Sequence, residues 1–364
     1  MKIAYCIHSL HLSGGMERVL SIKANYLADV YGYEVHIITA DLGSRKPHFP
    51  LSGKIRLHDV GISEKFRLNA YGRGLDRILC EIRPDICIST GGNDIFCLPD
   101  CTDGSIKISE YHFSHEKYMV KYGGLLIGNA YARFRTARLE KAAARLKKFI
   151  VLTEADKADW EKVVPGTESI YNPLTFKSES TATLQNRKCI AAGRLVPQKN
   201  FGDMIEAWRT VAASYPDWTL EIYGDGKQRE ALEKQIHGSG LDGKVKLMGN
   251  SPAIRERMLE SSCLIMSSRY EGFPMVLLEA VETGLPMVSY DCPKGPAEII
   301  ADGENGYLVP QGDTEALASR ICDVIGDADL RRRFGKKSRE TAARFSIDSI
   351  MAQWKELFER LVSA

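Results

Sequence analysis

The 364 residues predict an α/β protein of two Rossmann-like domains, each a parallel sheet with helices on both faces. Three observations carry the prediction. Strand-like apolar runs alternate with helix-spaced segments through both halves, the pattern of parallel sheets covered by helices. The length fits two domains, each large enough for its own core. Between Pro165 and Arg187 the periodicity lapses into prolines, serines and threonines, with Asn172-Pro173 turning the chain. The expected division is a domain over 1–168, a linker over 169–186, a second domain over 187–345 and a helix at 346–364.

In the first half, Lys2–Ser9, Tyr33–Ala40, Ile55–Val60, Asp85–Thr90, Ile106–Glu110 and Phe149–Leu152 read as strands. Glu17–Val30, Leu75–Ile82 and Tyr131–Leu146 have helical spacing. The second half repeats the pattern. Its strands are Lys188–Ala192, Thr219–Tyr223, Lys244–Met248, Cys263–Ser267, Met287–Tyr290 and Tyr307–Val309. Its helices are Asp203–Ser214, Lys227–His237, Met275–Thr283 and Thr314–Gly326. Ser346–Leu361 is amphipathic, with Ile350, Trp354, Leu357, Phe358 and Leu361 on one stripe. Open sheets of this kind bind ligands beyond their strands' carboxyl ends, so the two domains are expected to face a shared crevice.

Composition excludes several classes. With 44% apolar and 26% charged residues the chain is an ordinary globular one, and a net charge of +2 does not predict a polyanionic partner. No apolar run approaches the roughly 20 residues that span a bilayer. MKIAYCIHSL lacks a small-residue cleavage site and alternates like a first strand, so no export signal is predicted. Nine scattered cysteines form no CxxC pair and no zinc spacing, which predicts a reducing cytosol without structural disulfide or metal.

The most informative segment is RYEGFPMVLLE, Arg269–Glu279, between the apolar strand CLIMSS and a helix that ends at Gly284-Leu285-Pro286. Glu271 falls in the loop and Glu279 about one turn into the helix, with free amides expected near Met275, Val276 and Leu277. From Met275 to Glu279 the helix rises roughly 6 Å. A ligand bearing a sugar, a diphosphate and a ribose fits that order. Upstream, GRLVPQKNF puts Arg194 and Lys199 in another strand-to-helix loop, a planar fork and a compact charge suited to phosphate.

Weaker signals surround these. His11–Arg18 holds Gly14-Gly15 at the first βα turn, where backbone can approach a ligand or simply turn. Tyr223-Gly224-Asp225-Gly226 carries the same two readings, and Met248-Gly249-Asn250 offers backbone to a base edge. In Glu110–His115 the sequence favours His112, not His115, for hydrogen bonding a sugar or titrating near neutrality. Gly91 and Asn93 in Thr90–Asn93 are candidates for acceptor contact. Lys117–Lys148 holds nine basic residues and one acidic, interleaved with Tyr118, Met119, Tyr122, Leu125, Leu126, Ile127, Tyr131 and Phe134. That reads as a surface for anionic lipid or a solvated face; no nucleic-acid module is recognised, so no nucleic-acid partner is predicted.

On these residues the chain resembles the retaining glycosyltransferases of family 4, which have the two-Rossmann GT-B architecture. The resemblance runs along nearly the whole chain through the GG turn, GRLVPQKNF, YGDG, EGFPMVLLEA, GLP and ENGYLV. It implies transfer of a sugar from a UDP- or GDP-sugar to a hydroxyl of a glycan or lipid-linked acceptor, in surface polysaccharide synthesis; the expected location is cytoplasmic, with the basic segment as the contact to the inner membrane's cytoplasmic face. It implies that Arg194 and Lys199 hold the diphosphate, Glu279 the ribose, and Glu271 the sugar with backbone at Gly272 and Phe273. Gly15 lends an amide and His112 serves the acceptor side, although Tyr111 stands where many relatives place a glutamate. No DxD-type metal motif is evident at the right place, so no metal or other cofactor is expected. The helix at 346–364 is expected to pack back on the first domain.

Three alternatives stay open. An NAD-dependent oxidoreductase would need GxGxxG with an acidic residue about 20 positions on, which is missing. A non-hydrolysing sugar-nucleotide epimerase would need first-domain carboxylates that cannot be assigned. A non-enzymatic binding protein could keep Arg194 and Glu279 without turnover.

Overall fold

The computed structural model describes residues 1–62, 67–124 and 126–363, which form two compact units. Residues 63–66, and Leu125 of the basic segment, lie outside the described residues. One unit comprises Met1–Pro173 with the helix Ile347–Ser363; the other is Leu174–Ser346. The separate linker expected at 169–186 is not seen. Glu168–Ser169 is a strand of the first sheet, and from Leu174 the chain is built into the second unit. There Ser178 N–H donates to Glu282 at 2.6 Å, and Arg339 donates to the Ser178 carbonyl at 2.6 Å. An aperiodic stretch can be ordered when side chains satisfy its backbone, which hydrophobic spacing does not reveal.

The N-terminal unit contains β1 (Lys2–Ile7), α1 (Gly15–Asp29), β2 (Glu34–Thr39), β3 (Arg56–Asp59), α2 (Leu68–Ile82), β4 (Ile86–Ser89), β5 (Ile106–Tyr111), α3 (Lys117–Tyr122), α4 (Leu126–Ala143), β6 (Lys148–Val151), α5 (Glu154–Trp160) and β7 (Glu168–Ser169). Its parallel sheet runs β3-β2-β1-β4-β5-β6-β7, so the winding reverses between β1 and β4. Alternate side chains of β1 feed two cores. Ile3, Tyr5 and Ile7 pack with α1 and the helix Ile347–Ser363, while Ala4 and Cys6 pack with α2.

Helix α2 starts two turns before the expected Leu75, because Leu68 and Tyr71 continue its apolar stripe. Gly72 and Gly74 disguise that stripe. A Cβ on Gly74 would lie 2.6 Å from Val60, too close without a shift, and one on Gly72 would sit tightly at 3.1 Å from Cys97 Cβ. Helix α5 was not predicted, yet its signal is in the sequence: Thr153 caps it by accepting from Asp156 N–H.

The C-terminal unit follows with β8 (Lys188–Ala192), α6 (Phe201–Ser214), β9 (Thr219–Tyr223), α7 (Arg229–Gly238), β10 (Val245–Gly249), α8 (Ile254–Leu259), β11 (Cys263–Met266), α9 (Met275–Thr283), β12 (Met287–Tyr290), α10 (Pro296–Ile299), β13 (Gly306–Val309), α11 (Thr314–Gly326) and α12 (Ala328–Ala342). Its sheet order is β10-β9-β8-β11-β12-β13, all parallel, with the reversal between β8 and β11. The chain then re-enters the first unit as α13 (Ile347–Ser363), whose Ile350, Trp354, Leu357, Phe358 and Leu361 are buried. Among the described residues no helix is long and apolar enough to cross a membrane.

Candidate active site

In the C-terminal unit, the loops leaving β8 and β11 flank the point where the winding reverses, the place such sheets reserve for ligands. The two loops are tied together. Arg269 N–H donates to the Gln198 carbonyl at 2.8 Å, and the Gln198 amide donates to the Tyr270 carbonyl at 3.0 Å. Ser267 Oγ donates to the carbonyls of Lys199 and Asn200, both at 3.0 Å. This mesh aims Lys199 at the buried Glu271, with Nζ 2.6 Å from Oε1. One of three ammonium donors is used, leaving two. Arg194 is exposed in the same loop, and its guanidinium has no partner among the described residues.

Helix α9 starts at Pro274, an N-cap without a side-chain cap. Of the three amides expected to be open, Leu277 is not: it donates to the Pro274 carbonyl at 2.9 Å, tightening the first turn. One turn on, Glu279 is buried and accepts from Thr175 Oγ1 at 3.1 Å.

The glycines of YGDG have a packing explanation. Gly224 has φ +135° and a Cβ there would overlap the Gly193 carbonyl; one on Gly226 would overlap the Leu195 carbonyl. Gly224 N–H donates to Gly249 at 2.8 Å, so Gly193, Gly224 and Gly249 bring three strand ends into backbone contact. A third loop at this site, Asp291–Gly295 after β12, escaped sequence reasoning. A Cβ on Gly295 would lie 2.6 Å from Pro274 Cδ. Burial and then the Glu271 carboxylate push the Cys292 thiol up to about 12. No spacing rule marks that loop.

In the N-terminal unit, the turns after β1 and β4 flank the corresponding reversal. Gly14 is the N-cap of α1, again without a side-chain cap. A Cβ on Gly14 would overlap the Glu17 carboxylate, which folds back over the helix start. Burial pushes the Glu17 carboxyl up, against its own amide and the rings of His112, His11 and His8. Gly91, at φ +82°, lies against the Tyr111 ring, and Asn93 opens a short 3-10 turn.

His112 is the first residue beyond β5, and its Nε2 lies 3.3 Å from Glu110 Oε1. Glu110 Oε2 in turn accepts from Lys23 Nζ at 2.5 Å. These two partners were missed, although each interrupts an apolar pattern, Glu110 in IKISE and Lys23 in α1. Tyr111 contributes packing, its ring against Phe149 and Trp160. His115 pairs with Glu140 at 2.7 Å and packs on Trp160. Among the described residues no group of His, Cys, Asp and Glu could hold a metal ion.

Residues 175–341 match the family model described as glycosyl transferases group 1, a span within the C-terminal unit. An uncharacterized glycosyltransferase of Haemophilus influenzae is 28% identical over 97% of this chain and 99% of its own length. The amylovoran biosynthesis glycosyltransferase AmsD of Erwinia amylovora is 27% identical over 98% and 99%. The chain is a glycosyltransferase of GT-B fold. An exopolysaccharide phosphotransferase of Streptomyces coelicolor is 39% identical over 61% of this enzyme, but the match spans only 24% of that protein. Among solved structures, S. aureus TarM in complex with UDP superposes with a TM-score of 0.82 at 17% identity, covering 98% of this chain and 99% of that one. Anabaena HepE in complex with UDP gives 0.81 at 20% identity, covering 99% and 100%. The glycosyltransferase therefore shares its two-sheet architecture with proteins of very different sequence.

Proposed function

We propose that the enzyme is a retaining, family 4 transferase that moves a sugar from a nucleoside diphosphate sugar to a hydroxyl of a glycan or lipid-linked acceptor. The observation that carries this reading is the Lys199–Glu271 pair held beside the start of α9, with Glu279 buried one turn beyond. Lys199 has two donors left for a diphosphate, and Arg194 has its whole fork. We assign Glu279 to the ribose hydroxyls, Glu271 to the sugar with the Gly272–Phe273 backbone, and the start of α9 at Met275 and Val276 to the diphosphate through its positive helix end. The amides at Gly14–Gly15 remain phosphate candidates once Glu17 moves aside. A relative named for amylovoran biosynthesis, and structural neighbours solved with UDP, support the same class of substrates.

The chemistry follows from charge. As the anomeric C–O bond breaks, the sugar gains positive and the diphosphate negative charge, and fixed cations lower the barrier without reorganising. The acceptor oxygen bonds to the anomeric carbon, and its proton passes to a leaving phosphate oxygen. No metal is required in this scheme, because Arg194 and Lys199 take its place. His112, Gly91 and Asn93 are assigned to the acceptor side. The basic segment 117–148 is assigned to peripheral contact with an anionic membrane, where Leu126, Ile127 and Phe134 are 89%, 87% and 63% exposed.

A thermal-shift panel of UDP- and GDP-sugars, with and without EDTA, tests the donor assignment. One nucleotide sugar should stabilise the protein and be turned over with retention at the anomeric carbon. Inversion of configuration, or a strict need for a divalent ion, would refute the scheme.

A further inference from the structure

A fully buried charge pair needs a reason, because removing two ions from water is rarely recovered in stability alone. Lys23 and Glu110 are such a pair, with side chains 1% and 3% exposed. Lys23 stands on the inner face of α1 among Val19, Leu20, Ala24 and Leu27. Its ammonium lies 3.7 Å from the Trp354 ring centre and 6.0 Å from that of Tyr5. Glu110 is the penultimate residue of β5, the strand that ends on the buried Tyr111. The carboxylate divides its oxygens: Oε2 accepts from Lys23, and Oε1 faces His112 Nε2, whose side chain is only 6% exposed.

We propose that Glu110 is a positioning residue that fixes the ring orientation and tautomer of His112, and that Lys23 holds Glu110 in place to do so. The proposal rests on the acceptor-side assignment of His112 above. An ionised carboxylate can only accept, so the imidazole nitrogen facing it must carry the proton. His112 therefore presents Nε2–H inward and keeps a lone pair on Nδ1 for an acceptor hydroxyl. Burial opposes the Glu110 charge, but Lys23 and His112 hold the carboxyl well below its usual range. Lys23 is itself pulled down by burial and held up by Glu110. The arrangement serves the purpose of a carboxylate behind a metal-bound or catalytic histidine, with the supporting cation supplied by a helix. Among the other titratable groups, Tyr5 lies near Glu110, and the Glu17 carboxyl lies near His112, His11 and His8.

The test reads the ring directly. Nitrogen-15 spectra of histidine-labelled enzyme at about pH 8.5, where an ordinary imidazole is neutral, assign His112 by its loss in His112→Gln. The wild type should show the Nε2–H tautomer. In Glu110→Gln, and in the charge-free pair Lys23→Met/Glu110→Gln should the first fail to fold, the tautomers should mix. In the same variants kcat should fall by about 10- to 100-fold, with the donor KM unchanged. Protonation of Nδ1 in the wild type, as the other tautomer or as imidazolium, overturns the proposal. So does a Glu110→Gln enzyme with unaltered tautomer or unaltered kcat. If the wild type turns over no nucleotide sugar, the functional reading fails, and the spectra still decide the positioning of His112.

Discussion

Lys199 is held by its own pairing before any donor arrives, which separates its contribution to binding from its contribution to rate. Its ammonium lies 2.6 Å from Glu271, so the proposed diphosphate would meet donors already in place. Lys199→Ala should lower kcat on the order of 10²-fold; near-native turnover would remove the phosphate role. Glu279→Gln should chiefly weaken donor affinity by calorimetry, since it removes the charge proposed to meet the ribose while leaving the loops untouched. Gly224 is a different kind of residue, required by geometry alone. Gly224→Ala combines a φ of +135° with overlap on the Gly193 carbonyl, and should cost on the order of 2–3 kcal/mol. Urea midpoints measure it, and an unchanged midpoint would contradict the packing explanation.

At the scale of elements, the sequence places α9 at its observed bounds, Met275–Thr283, because helical spacing there ends at the Gly284-Leu285-Pro286 stop. The strands and the pair of loops carrying Arg194, Lys199 and Glu271 were legible for the same reason. Less legible were elements whose pattern is broken for packing. The stripe of α2 hides behind Gly72 and Gly74, and the partners of His112 look like errors in apolar segments. Spacing cannot show that a buried lysine on one helix meets a buried glutamate 87 residues later. Helix α4 yields a prediction of its own. Leu126→Asp/Ile127→Asp should abolish co-sedimentation with anionic vesicles while leaving the melting temperature close to native, because both side chains are exposed. Retained binding would disconnect that helix from membranes.

For the whole molecule, each unit has its own core, and the Lys23–Glu110 pair belongs to one of them alone. Glu110 is held low in the folded state, so its stabilisation is complete above the unfolded carboxylate range and is lost as pH falls through the folded value. Lys23 stays charged throughout that window and adds no slope. Between about pH 4.3 and pH 2, the N-terminal unit of the wild type should lose stability more steeply than that of Lys23→Met/Glu110→Gln. Near-ultraviolet dichroism through acid titration follows it, and parallel curves would show that the pair does not govern acid unfolding.

The return of α13 to the first sheet has a consequence for biosynthesis. Trp354 and Phe358 belong to the core of the N-terminal unit, yet they leave the ribosome after all of Leu174–Ser346. The usual order, in which the earlier-translated lobe matures first, is inverted here. The later lobe is contiguous and can close while its predecessor still waits, its apolar seam uncovered, for a final helix to be made.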